Sequence, residues 1–390
     1  MLLALGAPAA DRDYRPGHAR MHALLNGCVG AGFSLRRPRL RIRVAGTNGK
    51  GSTAAMVAAG LMAAGARVAL YSSPHIQRFG ERIRIDGAAL NDAALRAYLT
   101  QLLPMAKAVG ASYFELATTL ALVAFSQAEV DVEVLEAGVG ARFDATTAVA
   151  ADMALLTPIA LDHQAWLGDT LAAIAEEKAY VGVGCRWCLT VEQPEAANDA
   201  LARFGFQEPV VVDDALQPAM AGAHQQQNAS LALRALDLLY RNDEMAGDWA
   251  TIGAATLAAQ LDGRLACYRL AGTTVWLDAA HNAHGVAAVV DWVRERMDVV
   301  LIYTREDRSL AESLPQLRRI ADTVIGQSGD GLDHHLPTVC DGLAWAQCHA
   351  PGGRWLVLGS FLTVAAAQNW LMAHGASLFD GKNHGGGDCE

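Results

Sequence analysis

The sequence has no long hydrophobic run and no excess of basic residues. Of its 390 residues, 31 are Lys or Arg and 41 are Asp or Glu, which gives a formal net charge of -10. Domains that bind nucleic acid usually carry a basic face, so this balance disfavours a nucleic-acid partner. No apolar run approaches the roughly 18 residues needed to cross a bilayer, so we expect no membrane partner. The short apolar stretch at the N-terminus has no basic lead-in, which argues against a signal peptide.

Cysteine is sparse, and its spacing shows no disulfide framework. The seven cysteines are scattered and odd in number, which is typical of reduced thiols, so we expect a cytoplasmic protein. Cys185 and Cys188 in CRWC have the spacing of a redox or zinc motif. A structural zinc site needs two more close ligands, and the sequence has no second pair. We therefore predict two buried, inert thiols.

Glycines concentrate in RVAGTNGKGST, Arg43 to Thr53. The common phosphate loop is G-x-x-x-x-G-K-[ST], but here Val44 stands six residues before Lys50 and an extra Gly51 follows it. The stretch still supplies glycines that let backbone N–H groups converge, a lysine for the terminal phosphates and a hydroxyl for Mg²⁺. A flexible turn is the alternative; the predicted strand–loop–helix–strand context favours a nucleotide site.

Predicted strands alternate with helices over most of the chain. Strands are expected at RLRIRVAG, RVALYSS, VDVEVLEAG and DMALLTPIA, and helices at STAAMVAAGLMAAG, YFELATTLALVAFSQAEV, TLAAIAEEKAYV and HQQQNASLALRALDLLY. This alternation predicts a parallel, doubly wound α/β P-loop ATPase domain over residues 1–263. Short strands after Gly263 predict a smaller α/β, Rossmann-like C-terminal domain over 264–380, and the polar end predicts a disordered tail over 381–390.

Four polar residues outside the loop each allow a functional and a structural interpretation. Glu136 ends an apolar strand, where a carboxylate can hold a metal beside phosphates or can be an ordinary strand-end acid. His163 becomes a metal candidate only if its strand lies beside that of Glu136, because imidazole is an unusual ligand for Mg²⁺. Lys178, on a helix, is most simply a surface lysine paired with a neighbouring glutamate. Asp278 opens DAAHNAHG after a strand, which is typical of a ligand crevice or of a capped loop.

These stretches occur in one order with several others: VAGTNGKGST, YSSPHIQRFGERIRI, VLEAGVGARFDATT, LDHQAWLGDTLAAIAEEKA, HQQQNA, DGR and DAAHN. Together they resemble the folylpolyglutamate synthase and dihydrofolate synthase family, within the Mur-ligase-like group, over about Arg15 to Leu371. The extra glycine after Lys50 is that group's own form of the loop. The resemblance implies an ATP-dependent ligase that adds L-glutamate to dihydropteroate, to tetrahydrofolate or to both through an acyl phosphate. We expect a monomer whose partners are small molecules.

The resemblance also implies a set of site residues. ATP is expected to contact Gly46, Thr47, Asn48, Gly49, Lys50, Gly51, Ser52, Asn228, Arg264 and Asp278. The expected Mg²⁺ ligands are Ser52, Ser73, Glu136 and His163. The expected catalytic residues are Lys50, Lys178 and His281, with a carbamate on Lys178 that turns a cation into an anion facing the metal. The pterin substrate is expected at Arg20, Ser112, Tyr113, Phe114, Glu115, Phe143, Asp144 and Ala145.

Several positions depart from the family pattern. Ala141 and Thr147 replace a usual glycine and asparagine, and Ala283 replaces the proline of HNP. In the second domain, where glutamate is expected, YTREDRSL (303–310) replaces a phenylalanine-glycine start and D-K-D. Two alternatives therefore stay open: a ligase of the same fold for another carboxylate and amine, and an ATP-binding homologue without ligase activity. The intact lysine and metal positions disfavour the second alternative.

Overall fold

The structure, a computed structural model, describes residues 17–206, 208–305, 308 and 310–379. These residues form two units. The first unit runs to residue 217 and resumes over 226–259, and the second comprises 218–225 and the chain from 260 onwards. The predicted tail, 381–390, lies outside the described residues. None of the described helices has both the length and the apolar composition that a bilayer crossing requires.

The strands described in the first unit form one sheet. They are β1 (Leu40–Ala45), β2 (Val68–Tyr71), β3 (Ile83–Ile85), β4 (Ala88–Ala89), β5 (Val132–Glu136), β6 (Met153–Leu156) and β7 (Trp187–Thr190). Their order is β4-β3-β2-β5-β1-β6-β7. In this order, each neighbouring pair of strands from β2 through to β7 is parallel. The strands β3 and β4 extend the sheet beyond β2 by antiparallel pairing. The predicted parallel sheet is confirmed, and its antiparallel edge is an addition that we did not predict.

Helices cover both faces of this sheet. They are α1 (Ala19–Gly30), α2 (Lys50–Ala63), α3 (Asp92–Ala108), α4 (Tyr113–Gln127), α5 (Gln164–Leu167), α6 (Leu171–Ala179), α7 (Asn198–Arg203), α8 (His224–Arg241) and α9 (Trp249–Ala258). One core cluster joins α1, α3 and α4 to β2, and another joins α6 and α7 to β1 and β6. The residues of β1, β2, β5 and β6 are all buried, including the charged Arg41, Arg43 and Glu133.

The second unit repeats the α/β layering on a second sheet. Its described strands are β8 (Ala266–Leu270), β9 (Thr273–Leu277), β10 (Met297–Ile302), β11 (Ala321–Gly326), β12 (His334–His335), β13 (Arg354–Leu358) and β14 (Ser377–Leu378), in the order β12-β11-β10-β13-β9-β8-β14. The strands from β12 to β9 are parallel, and β8 and β14 pair antiparallel. The described helices are α10 (Ala283–Trp292), α11 (Leu314–Leu317), α12 (Val339–His349) and α13 (Phe361–Ala373).

The pair of thiols in CRWC is only partly buried. Cys185 and Cys188 have intermediate exposure, so the prediction of full burial is wrong. Each Sγ lies 3.6 Å from a backbone carbonyl oxygen, that of Val181 or Gly182. Desolvation raises the pKa of Cys188 to about 12, which keeps this thiol protonated and a poor nucleophile at neutral pH.

Candidate active site

The glycine-rich loop connects β1 to α2, and two glycines determine its shape. Gly46 has φ +140° and Gly49 has φ +88°, a region that favours glycine. A Cβ on Gly46 would lie 2.0 Å from Thr157 Oγ1, and one on Gly49 would lie 2.3 Å from Asn228 Oδ1. Because α2 begins at Lys50, the N–H groups of its first turn lie next to the loop, an arrangement that suits a phosphate.

Two lysine side chains converge on one carbonyl of this loop. Lys50 Nζ donates to Gly46 O at 3.2 Å and to Thr47 O at 3.0 Å, and Lys178 Nζ donates to Gly46 O at 2.8 Å. Lys178 is only 2% exposed, so its interpretation as a surface lysine is wrong. Burial, and then the charge of Lys50, lower the pKa of Lys178 to about 7. A substantial share of this amine is therefore neutral at neutral pH.

Glu136 and Ser52 offer oxygen atoms that could bind a metal ion near the phosphate loop. Glu136, at the end of β5, is buried, and its Oε2 accepts a hydrogen bond from the Ser73 N–H at 3.0 Å. Ser52 Oγ is buried and has no hydrogen-bond partner among the described residues. A buried hydroxyl without a partner costs free energy unless a ligand satisfies it. Hydroxyl and carboxylate oxygens are the ligands that Mg²⁺ prefers, so these residues fit a divalent cation.

His163 lies on the other side of the loop from Glu136. The strand before it, β6, is not the neighbour of β5, because β1 lies between them; the adjacency that we required from the sequence is not met. The loop itself links the two sides: Thr47 N donates to Pro158 O at 2.8 Å, and Thr47 Oγ1 donates to Ala160 O at 3.1 Å. Glu136 and the segment that leads to His163 thus lie on either side of the phosphate loop, at the carboxyl ends of the parallel strands.

Asn228, predicted to contact ATP, lies directly behind the loop. It is 3% exposed, and Thr53 Oγ1 donates to its Oδ1 at 3.4 Å. The amide also fills the space beside Gly49 that a Cβ would need. Asn228 therefore supports the shape of the loop from α8.

One group of predicted pterin-binding residues lies at the start of α4. Ser112 is the N-cap, and Glu115 Oε2 accepts from the Ser112 N–H at 2.7 Å and from Arg20 Nε at 3.1 Å. Between centroids, the Tyr113 ring lies 6.2 Å from the Phe79 ring, which follows β2, and the Phe114 ring lies 6.0 Å from the Tyr71 ring of β2. Arg20 and Glu115 thus hold α1 and α4 together, and the aromatic pair lies beside them.

The other predicted pterin-binding group is the turn that follows β5. Phe143 is 42% exposed, whereas Asp144 and Ala145 are buried. The Asp144 carboxylate accepts from the N–H groups of Gly138 and Thr146, each at 2.9 Å. Burial raises the pKa of Asp144, against these hydrogen bonds. Asp144 therefore shapes the turn, and Phe143 is the member of this trio that faces solvent.

The second unit gathers its own predicted residues at the end of β9. The Asp278 carboxylate accepts from Leu265 N at 2.9 Å and from Ala280 N at 2.7 Å. The Arg264 guanidinium lies 5.1 Å from the centroid of the Phe361 ring, and the His281 ring lies 6.5 Å from the same ring, between centroids. Burial raises the pKa of Asp278, and Arg264 opposes that shift.

His224 joins this cluster, although we did not single it out from the sequence. Its Nδ1 is buried and has no hydrogen-bond partner in the described part of the chain. Burial, followed by the charge of Arg264, lowers the pKa of His224 to about 4, so the ring is neutral at physiological pH. Its place in HQQQNA was the available signal, but the burial depends on the fold.

Known proteins identify the family. No family model matches the chain. A folylpolyglutamate synthase from Lacticaseibacillus casei is 31% identical over 336 residues, which cover 76% of this chain and 78% of that protein. The chain belongs to the folylpolyglutamate synthase family. A dihydrofolate synthase/folylpolyglutamate synthase from Escherichia coli (strain K12) is 37% identical over 208 residues. That alignment covers 53% of this chain and 44% of the relative, so the chain spans less than half of that protein's length.

A solved structure of the family extends the match to nearly the whole fold. A bifunctional folylpolyglutamate synthase/dihydrofolate synthase with Mn, AMPPNP and L-glutamate bound has a TM-score of 0.77 and 28% identity. The match covers 94% of this chain and 99% of that one. The two-sheet α/β architecture predicted from the sequence is confirmed.

Proposed function

We propose that this chain is an ATP-dependent amide ligase that joins L-glutamate to the carboxylate of dihydropteroate, of tetrahydrofolate or of both. Its membership of the folylpolyglutamate synthase family supports the reaction class. The observation that carries the proposal is the buried Lys178, whose Nζ lies 2.8 Å from Gly46 O at the phosphate loop. Packing alone does not explain it, because a buried amine is costly unless it serves a site.

The reaction proceeds in two steps at the phosphate loop. A carboxylate oxygen of the pterin substrate attacks the terminal phosphorus of ATP, ADP leaves, and an acyl phosphate forms. The neutral amine of glutamate then attacks the acyl carbon, phosphate leaves, and the nitrogen loses a proton. The N–H groups at the start of α2 and the ammonium of Lys50 stabilise the charge of the transferred phosphoryl group. A divalent cation, Mg²⁺ by our proposal, would be held by Ser52, Ser73 and Glu136 and would neutralise phosphate oxygens. His163 is included on the family resemblance alone, because its strand does not adjoin β5.

In this proposal, the side-chain amine of Lys178 is converted into a carbamate. With a pKa of about 7, a share of its amine is neutral and can attack CO₂; an N–C bond forms and one proton is released. The product is an anion beside the ammonium of Lys50, so a repulsive pair becomes an attractive one. The anion also faces the expected cation.

In the second unit, the residues that the family resemblance assigns to ATP are Arg264, Asp278 and His281. The guanidinium of Arg264 suits phosphate oxygens, and His281 lies near the same aromatic ring as Arg264. For the pterin, the exposed ring of Phe143 offers a stacking surface, and Arg20, on α1, donates to Glu115 in the first turn of α4.

The second candidate function is a ligase for a different amine, and it rests on where the segment that departs from the family pattern lies. A cavity of about 320 Å³ lies at the ends of β10 and β11, and its lining includes Arg305, Arg308, Gln327 and Ser328. Guanidinium groups bind carboxylates well, so we assign this cavity to the anionic amine substrate. The same residues belong to, or lie beside, the segment that departs from the family pattern.

The deciding experiment is glutamate-dependent phosphate release from ATP and Mg²⁺. We would compare 7,8-dihydropteroate, tetrahydrofolate and no pterin. Release with dihydropteroate alone would identify a dihydrofolate synthase, and release with both pterins a bifunctional enzyme. Release with neither pterin, from protein that still binds ATP, would overturn the folate proposal and favour another carboxylate and amine.

A further inference from the structure

Arg43 is a buried arginine on β1, three residues before the phosphate loop. It is 3% exposed. Arg41, two residues earlier, forms a buried salt bridge with Glu133, whereas the side-chain hydrogen bonds of Arg43 in the described chain all go to backbone carbonyls. Burial lowers the pKa of Arg43. The two arginines project from the same face of one strand but have different partners.

The carbonyl groups that accept from Arg43 belong to two separate segments. Nη1 donates to Val181 O at 3.3 Å and to Val183 O at 3.4 Å. Nη2 donates to Thr147 O at 3.3 Å and to Val149 O. A guanidinium carries five N–H donors in a rigid plane, so one side chain can fix both segments at a set angle.

Both segments adjoin candidate active-site residues. Val181 and Val183 follow directly after α6, whose last turn holds Lys178. Thr147 and Val149 end the short 3-10 turn that begins after Asp144. The segment from β1 into the loop therefore contacts the Lys178 region at two points. Arg43 donates to the carbonyls after α6, and Gly46 O accepts from Lys178 Nζ.

This arrangement is a poor way to stabilise a fold. The hydrogen-bond acceptors of Arg43 are neutral carbonyls, and the charges of Asp144 and Asp152 only partly offset its burial. Burying such a charge costs free energy, and an apolar replacement is often neutral or better. In addition, Arg43 Nε is buried without a hydrogen-bond partner among the described residues. We therefore look for the role of Arg43 in the four carbonyl contacts that it makes rather than in the stability of the fold.

We propose that Arg43 is a positioning residue: it sets the place of Lys178 and of the turn 143–145 relative to the phosphate loop. Arg43 acts only through the protein, because its side-chain hydrogen bonds among the described residues all go to backbone carbonyls. Its effect on turnover rests on the proposed function, but the positioning itself is measurable without any substrate.

The test compares Arg43→Met with the double variant Arg41→Met/Glu133→Leu. The double variant removes a buried guanidinium from the same face of β1 and leaves no unpaired carboxylate. It also removes the hydrogen bond from Arg41 Nη1 to Ala150 O, 2.8 Å, so it controls for a lost carbonyl contact next to Val149. Hydrogen exchange in the substrate-free protein reports on the amides of Thr147 and Val183, which donate to Asp144 O and Tyr180 O. We expect both amides to lose protection in Arg43→Met and to keep it in the double variant. Equal protection in the two proteins would overturn the proposal.

Turnover gives a second, separable measurement. In Arg43→Met we expect kcat to fall by about 10- to 100-fold, the usual effect of losing a supporting contact, with little change in the affinity for ATP. Millimolar guanidinium should restore activity in Arg43→Ala, whereas equal concentrations of ammonium should not. A normal kcat in folded Arg43→Met would also overturn the proposal. If the wild type shows no ligase activity, the proposed function fails, and hydrogen exchange still decides the role of Arg43.

Discussion

At the scale of single residues, Lys50 and Lys178 share one acceptor, Gly46 O, but differ in burial. Lys50 lies partly exposed at the start of α2, where a phosphate would meet it. Lys178 is almost fully buried, which lowers the pKa of its amine. In our proposal the first stabilises charge on a transferred group, and the second becomes an anion.

Lys50→Ala should abolish most turnover. Its ammonium is aimed at the transferred phosphoryl group, and removing one such preorganised charge or donor costs about 10²- to 10³-fold in kcat. The measurement is phosphate release with the best pterin substrate. Lys107→Ala, at an exposed lysine of α3, is the control and should keep full activity; near-normal activity of Lys50→Ala would contradict the site assignment.

Removal of CO₂ should lower the activity of the wild type, and bicarbonate should restore it. The neutral amine of Lys178 is the form that reacts, so uptake should weaken as pH falls below about 7. Lys178→Ala should lose much of its activity and should not respond to bicarbonate. Phosphate release in degassed buffer measures the effect, and ¹³C NMR with labelled bicarbonate detects the carbamate. A fully active Lys178→Ala would reduce this residue to a structural role.

The same lysine should make stability depend on pH. Its folded-state pKa, about 7, lies below the unfolded value of about 10.4. Between these values the unfolded chain binds more protons, so stability should rise with pH by up to about 1.4 kcal/mol per unit. Below pH 7 both states are protonated, and the full cost of the buried charge remains. In CO₂-free buffer, Lys178→Met should flatten this slope in urea titrations; an unchanged slope would contradict the depressed pKa.

At the scale of elements, the strand-to-helix turn after β1 depends on glycine for two separate reasons. Gly46 and Gly49 have positive φ, and a Cβ at either position would also collide with a buried side chain. Gly46→Ala or Gly49→Ala should therefore distort the loop and weaken ATP binding at least about tenfold, a loss of roughly 1.4 kcal/mol. Isothermal titration with an ATP analogue measures this loss.

Gly65 provides the matched control for the loop glycines. It has φ +87° near the end of α2, but a Cβ there would meet nothing within 4 Å. Gly65→Ala should thus cost only backbone strain, about 1 kcal/mol of stability, and leave ATP affinity unchanged. If Gly65→Ala weakens ATP binding as much as Gly46→Ala does, strain rather than collision governs the loop.

The elements also show which parts of the fold the sequence could predict. Apolar residues predicted β1, β2, β5 and β6, in an alternating pattern that turns apolar at β1 and within a mostly apolar stretch at β6, because strands covered by helices bury their side chains. The short strands β3 and β4 span three and two residues, too few for a periodic signal. The burial of Lys178 was not predictable from its helix, because its partner Gly46 lies 132 residues away in sequence.

At the scale of the whole molecule, ligand binding should appear as added stability of the chain. A ligand that binds only the folded state at about 100 times its Kd adds roughly 2.7 kcal/mol. We expect a non-hydrolysable ATP analogue with Mg²⁺ to raise the melting temperature well above that of either alone. Part of this added stability should come from Ser52 Oγ, a buried atom that has no hydrogen-bond partner in the described part of the chain and that the cation would contact.

Ser52→Ala should separate folding from ligand binding. The variant removes a buried hydroxyl that lacks a hydrogen-bond partner in the described structure, so the ligand-free protein should be as stable as the wild type or slightly more stable. The added stability from Mg²⁺ with the analogue should shrink, because a cation ligand is lost. Thr53→Ala is the contrast, since Thr53 Oγ1 donates to Asn228 and its loss should lower stability without ligand. A Ser52→Ala protein that melts earlier without ligand yet keeps the full Mg²⁺ response would place the cation elsewhere.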